Sequence, residues 1–113
     1  MTGEEYIQAI LNHLHNAYML DDEKIKDVLP RFLDTLIAHL DSLQQPLEAM
    51  NLTELGKAGH TLKGALLNLG LLDLADVAYA IEQQCKTEDT TADYQVMVQR
   101  LQREIRSFVR NRD

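Results

Sequence analysis

Apolar residues recur along the chain at intervals of three and four. No alternating stretch of the kind that builds strands interrupts them, and there is no Asn-Gly or Asp-Gly hairpin turn. The pattern predicts an all-α chain. A first helix carries Tyr6, Ile7, Ile10, Leu11 and Leu14, and the acidic stretch Asp21-Asp22-Glu23 starts a second, where negative charge suits a helix N-terminus. The apolar stripe of the second is Ile25, Leu29, Phe32, Leu36, Leu40 and Leu43. Pro30 lies inside that stripe and, lacking an amide donor, should either begin the main helix at its first turn or kink it. Pro46 marks the approach to the end of this helix.

Asn51 is a suitable N-cap for a third helix running to Gly70, a residue type that ends helices in the left-handed conformation. After a tight turn, a fourth helix uses Leu71, Leu74, Ala78, Ile81 and Cys85. The polar run Lys86 to Thr91 separates it from a fifth with Tyr94, Val98, Leu101, Ile105 and Phe108. Short connections between amphipathic helices imply an antiparallel up-down bundle.

Composition sets the bounds. A chain of 113 residues, 45% hydrophobic, can bury one core, so residues 1–113 are read as a single domain. A net charge of -7 argues against nucleic acid as a partner, since a polyanion would be repelled. The one concentration of positive charge, Arg100, Arg103, Arg106, Arg110 and Arg112, is read as a solvated face at a helix C-terminus. Cys85 is the single cysteine, which excludes an internal disulfide and the usual zinc ligand sets. Neither a secretion signal nor an apolar run of membrane-spanning length is present, so a cytoplasmic monomer that does not engage the membrane is expected.

Candidate chemistry is concentrated on the third helix. On a wheel of roughly 100° per residue, Leu55, Leu62, Leu66 and Leu69 form the core stripe. His60 falls about 160° from Leu62, on a face shared with Thr53, Gly56, Lys57, Gly64 and Leu67 and flanked by Lys63. This arrangement holds a histidine in water on a rigid rod. Each glycine inside a helix costs about 1 kcal/mol relative to alanine, yet Gly56 and Gly64 stand one turn before and one turn after His60. Their missing side chains clear the backbone around the imidazole for another protein's active site. Lys63, three residues from His60, is placed to offset a phosphoryl charge. Leu67 offers an apolar anchor to a partner unless the first helix covers it. Gly59 lies nearer the core and is read as a packing glycine.

The run His60-Thr61-Leu62-Lys63-Gly64, followed by Leu69-Gly70, resembles the signature of histidine-containing phosphotransfer (HPt) domains, and the resemblance extends over nearly the whole chain. It implies an antiparallel four-helix bundle with an additional N-terminal helix. It further implies that His60 accepts a phosphoryl group from an aspartyl phosphate on a receiver domain and donates it to another receiver. Lys63 becomes the charge partner and Gly64 the clearance, with Gly56, Lys57 and Leu67 beside them in receiver docking, and Gly70 the helix terminator. The partners implied are response-regulator receivers and a hybrid sensor histidine kinase. The family often has two small residues after the Lys-Gly pair, where this chain has Ala65 and Leu66. A polar residue on the following helix, Glu82 or Gln83, is the candidate neighbour of the phosphohistidine, although a carboxylate would repel phosphate.

Such a carrier needs alignment and charge neutralisation more than catalytic groups of its own. A histidine's ordinary pKa of about 6.5 supplies a neutral ring at cellular pH. No nucleotide-binding loop is present, so neither autokinase activity nor a resident cofactor is expected, and Mg²⁺ belongs to the partner receiver. Two other readings remain. One is a helical adaptor that binds receivers or kinases through the same face without being phosphorylated. The other is a metal- or haem-binding bundle, for which His13, His15 and His39 provide no matched ligand pair.

Overall fold

Residues 1–109 are described in the computed structural model, and every regular element among them is helical. Five long helices and one short one follow in order: α1 (Gly3–Tyr18), α2 (Asp22–Asp41), α3 (Gln44–Glu48), α4 (Leu52–Asn68), α5 (Leu72–Lys86) and α6 (Tyr94–Val109).

Side chains fix where the long helices begin. At α1, Thr2 and Glu5 form a reciprocal capping box, each side chain bonding the other's backbone amide. Asp21 accepts from Lys24 N at 2.8 Å to cap α2, and Asn51 accepts from Glu54 N at 3.2 Å to cap α4, as the sequence pattern predicts for Asn51. Gly70 ends the α4 segment with φ of 74°; its amide bonds Leu67 O at 3.0 Å and that of Leu71 bonds Leu66 O at 3.0 Å. This paired closure reverses the chain in a few residues and leaves α5 lying back along α4. A side chain at Gly70 would be strained by its φ and would strike the ring of His13.

The long α2 corrects three expectations. Of the two roles expected for Pro30, beginning the main helix is excluded, since α2 starts at Asp22 and runs through that position, where the exposed Pro30 leaves the Lys26 carbonyl without its partner amide. The helix also stops before Pro46, which sits inside the separate α3. Phe32 is 37% exposed, while its neighbour Leu33 is buried and carries the stripe from Ile25 through Leu36 to Leu40. At helical spacing either residue extends the stripe, and the bundle takes the leucine.

α4 packs against α2, α3 and α5, while α6 packs against α1, α2 and α5. The core between them includes Ile10, Leu14, Leu36, Leu40, Leu55, Leu62, Leu66, Ile81, Leu101 and Ile105, all fully enclosed. Burial of such side chains, at about 1.5–3 kcal/mol each, is what holds helices that would be marginal alone. Arg100, Arg103 and Arg106 are exposed as expected of a solvated face, though Arg106 also reaches Asp41 of α2 at 3.0 Å. Arg110 and Arg112 lie outside the described residues. No described helix is long and apolar enough to cross a membrane.

Candidate functional site

The α4–α5 hairpin sets the site by arithmetic. His60 and Glu82 lie eleven residues before and after Leu71, and Lys63 and Tyr79 lie eight before and after it. Folding the two helices back about that turn brings each pair face to face. Close approach is permitted by glycine: a Cβ on Gly59 would sit 3.3 Å from the Ala78 carbonyl oxygen, and one on Gly56 would sit 3.0 Å from the Cys85 Cβ. Gly59 is thus the packing glycine the wheel suggests. Gly56 has a packing role as well, because its missing side chain lets α5 approach, and it also lines the groove beside His60. Gly64 is the open one, with nothing within 4 Å of where its Cβ would stand.

His60 itself is 65% exposed, and its Nδ1 lies 2.9 Å from Glu82 Oε2. The other carboxylate oxygen, Oε1, accepts from Lys63 Nζ at 2.8 Å. Glu82 is only 14% exposed and Lys63 20% exposed, so this ion pair is shielded while the imidazole above it is not. The Lys63 ammonium also stands over the Tyr79 ring, 4.9 Å from its centre, a cation–π contact. The Lys63 hydrogen bond, reinforced by His60, holds the Glu82 carboxyl below the usual carboxylate range against the opposing effect of partial burial.

An ionised carboxylate can only accept, so Nδ1 of His60 carries the hydrogen in this contact. In the neutral ring the free electron pair then resides on Nε2, at the edge of the ring turned away from Glu82. A nucleophilic nitrogen is presented to solvent, oriented from behind by a carboxylate whose own charge is balanced by lysine.

Other site candidates fall around it. Thr53 and Lys57 are exposed, and Lys57 pairs with Glu54 at 3.6 Å. Leu67 is 44% exposed, so α1 does not cover it. Along the N-terminal half of α4 an open groove of about 530 Å³ runs beside His60, lined by Leu52, Gly56, Lys57, Glu82, Cys85 and Lys86 among others. Gln83 makes no described contact with the ring, and Glu82 takes the position facing it. Tyr79 was not among the sequence candidates; its equal spacing from Leu71 opposite Lys63 was the available signal. Elsewhere His13 lies over Gly70 and edge-on to Tyr18, and His15 pairs with Asp22, which accounts for two other histidines. Among the described residues no three His, Cys, Asp or Glu side chains converge as metal ligands would.

A family model described as Hpt domain matches residues 27–110. The chain belongs to the Hpt domain family. Most of α2 and all of α3 to α6 fall within the matched region, whereas α1 precedes it. No curated protein and no solved structure is detectably similar to the chain. Hpt domains are phosphocarriers in phosphorelays that work with receiver domains and kinases, and the histidine of the Hpt-like run in this chain is the exposed His60.

Proposed function

We propose that this Hpt domain is the histidine carrier of a multistep phosphorelay, with Nε2 of His60 taking a phosphoryl group from a receiver aspartate and passing it to a second receiver. The observation that carries the reading is the orientation of His60: a 65% exposed imidazole bonded through Nδ1 to a shielded carboxylate, leaving Nε2 as the attacking atom. Transfer of this kind depends on aligning the nucleophile with the acceptor phosphorus, and Glu82 supplies that alignment before a partner arrives.

Gly64 gives the receiver its clearance, Leu67 an apolar contact and Lys57 a charge near the rim. Lys63 is the charge partner, acting through Glu82 as much as toward the phosphoryl group. The carboxylate that sequence reasoning would set against phosphate stands on the opposite side of the ring from Nε2 and is neutralised by Lys63, which relieves the repulsion. The scaffold is an antiparallel bundle of α2, α4, α5 and α6, to which α1 is added. The carrier is a cytoplasmic monomer that has no autokinase activity and works with receivers and a hybrid sensor histidine kinase. Mg²⁺ and most of the electrostatic stabilisation reside in the receiver's acidic pocket.

The test is incubation of the protein and of His60→Gln with a panel of receiver domains carrying radiolabelled aspartyl phosphate. Acid-labile label on the wild type and none on the variant is the expected result. Receiver binding without labelling of either protein would replace the carrier with a non-phosphorylated adaptor.

A further inference from the structure

The contact behind His60 is made by a full carboxylate, and that has a chemical consequence for the phosphorylated ring. When the Nε2 electron pair forms the N–P bond, the P–O bond to the donor aspartate breaks and its carboxylate departs. The Nδ1 proton has nowhere it needs to go. The product is then a phosphoimidazolium with a positive ring. In the return step an acceptor carboxylate forms a P–O bond, the N–P bond breaks, and the pair goes back to Nε2, releasing neutral imidazole. If Nδ1 lost its proton in between, the ring would have to leave as an imidazolate anion, a far poorer leaving group.

Resting on the carrier reading, we infer that Glu82 is a positioning residue whose negative charge keeps Nδ1 of phosphorylated His60 protonated, holding the phosphoryl group in its transferable form to higher pH than a neutral partner would. An anion bonded to Nδ1–H favours the charged ring, as the buried carboxylate of a catalytic triad favours an imidazolium. The role requires that Glu82 itself remain ionised. A carboxylate is ionised over the neutral and alkaline range, and Lys63 at 2.8 Å extends that ionisation to lower pH, with Tyr79 beside the lysine.

The remaining charges around the ring leave this role to Glu82. From α4 the groove presents Lys57, paired with Glu54, and from α5 it presents Lys86 and the buried Cys85 thiol, with Glu88 beyond the end of α5. Asp41 of α2 and Glu48 of α3 are engaged elsewhere, on Arg106 and on Gln44. Of the carboxylates among the described residues, Glu82 is the one bonded to His60.

Glu82→Gln tests the charge while retaining an oxygen that can accept from Nδ1–H. Wild type and variant are phosphorylated by a labelled receiver. Ring titration is then followed by ¹⁵N NMR, and return of label to unphosphorylated receiver is timed from neutral to alkaline pH. The expected result is a fall of about one pH unit or more in the phosphohistidine midpoint, with the alkaline decline of the return rate moving by the same amount. Lys63→Met, which keeps the carboxylate but removes a cation, should leave the midpoint at or above the wild-type value. A midpoint unmoved in Glu82→Gln, or lowered equally in both variants, overturns the inference while normal labelling leaves the carrier reading standing. Absence of label on His60 in the wild type overturns both.

Discussion

His15 and His60 each place a ring nitrogen 2.9 Å from a carboxylate oxygen, yet the two contacts are built differently. At the α1–α2 turn, the partner of His15 is Asp22, whose side chain is 94% exposed. On the α4–α5 face, the partner of His60 is Glu82, 14% exposed and held from its other oxygen by Lys63. Water competes for Asp22 on almost every side, and among the described residues no second side chain fixes its carboxylate. Glu82 is immobilised by a shielded lysine, and its hydrogen bond to His60 is anchored accordingly. Equal distances therefore describe unequal arrangements: one a surface pair between helix ends, the other an exposed imidazole oriented by a braced carboxylate.

The widest separation between the two is expected in phosphoryl transfer. Glu82→Ala should slow labelling of His60 by a receiver about ten- to a hundredfold, the loss expected when a hydrogen bond to a charged group is removed from the aligned state. Asp22→Ala should label at the wild-type rate. Initial rates measured with one receiver preparation decide it, and equal rates for the two variants would erase the distinction drawn between the contacts.

The glycines of α4 sharpen the comparison by separating the open part of the site from its packed part. Gly64→Leu should reduce the labelling rate by about tenfold by intruding on the docking partner, while the bundle remains folded. Gly64→Ala should stabilise the protein by about 0.5–1 kcal/mol, because that helical position has empty space above it. Gly59→Ala should forfeit that gain, since its new methyl group would stand 3.3 Å from the Ala78 carbonyl oxygen and the α5 backbone would have to shift to admit it. Urea midpoints of the two alanine variants shifting upward together would show that α5 gives way more readily than this packing implies.

Much of this is legible in the sequence. The helical periodicity, the Asn51 cap, the Gly70 terminator and the outward face of His60 all depend on local geometry, which sequence spacing encodes directly. Phe32 and Leu33 show where spacing runs out, since both satisfy the same stripe and three-dimensional packing chooses between them. Met19, Met50 and Glu88 close helices with positive φ although none is glycine; all three are exposed, and the turns are held by local backbone bonds such as Asn51 N to Pro46 O at 3.0 Å and Asp89 N to Gln84 O at 2.9 Å, which no residue type at those positions announces. Spacing locates Glu82 as a candidate whose charge is unfavourable on its own, and the contact with Lys63 that offsets this charge is made across helices. Pairing across helices converts the meaning of a residue that spacing can only locate.

Acidification offers a smaller separation. Because the folded state holds the Glu82 carboxyl below its ordinary range, its contribution to stability is present above the unfolded value of about 4.3 and is lost as pH falls through the folded one. The stability difference between wild type and Glu82→Gln should accordingly narrow on passing from neutral to strongly acidic pH. A constant difference across that range, measured by urea unfolding, would mean that the carboxylate's ionisation is not coupled to folding.

The smallest effect belongs to the exposed pair. Asp22→Asn removes the charge facing His15 but leaves a side chain of the same shape in the first turn of α2, where Asp21 still caps the helix. Solvent screening limits such a pair to about 1 kcal/mol at most, and the favourable placement of an acid near a helix N-terminus contributes within the same range. The loss should shrink further as salt is raised, because both interactions are electrostatic and open to water. A loss well above this range that persisted in high salt would show that the α1–α2 contact is supported by groups other than the two charges, and its contrast with the lysine-backed Glu82 would have to be drawn on packing instead.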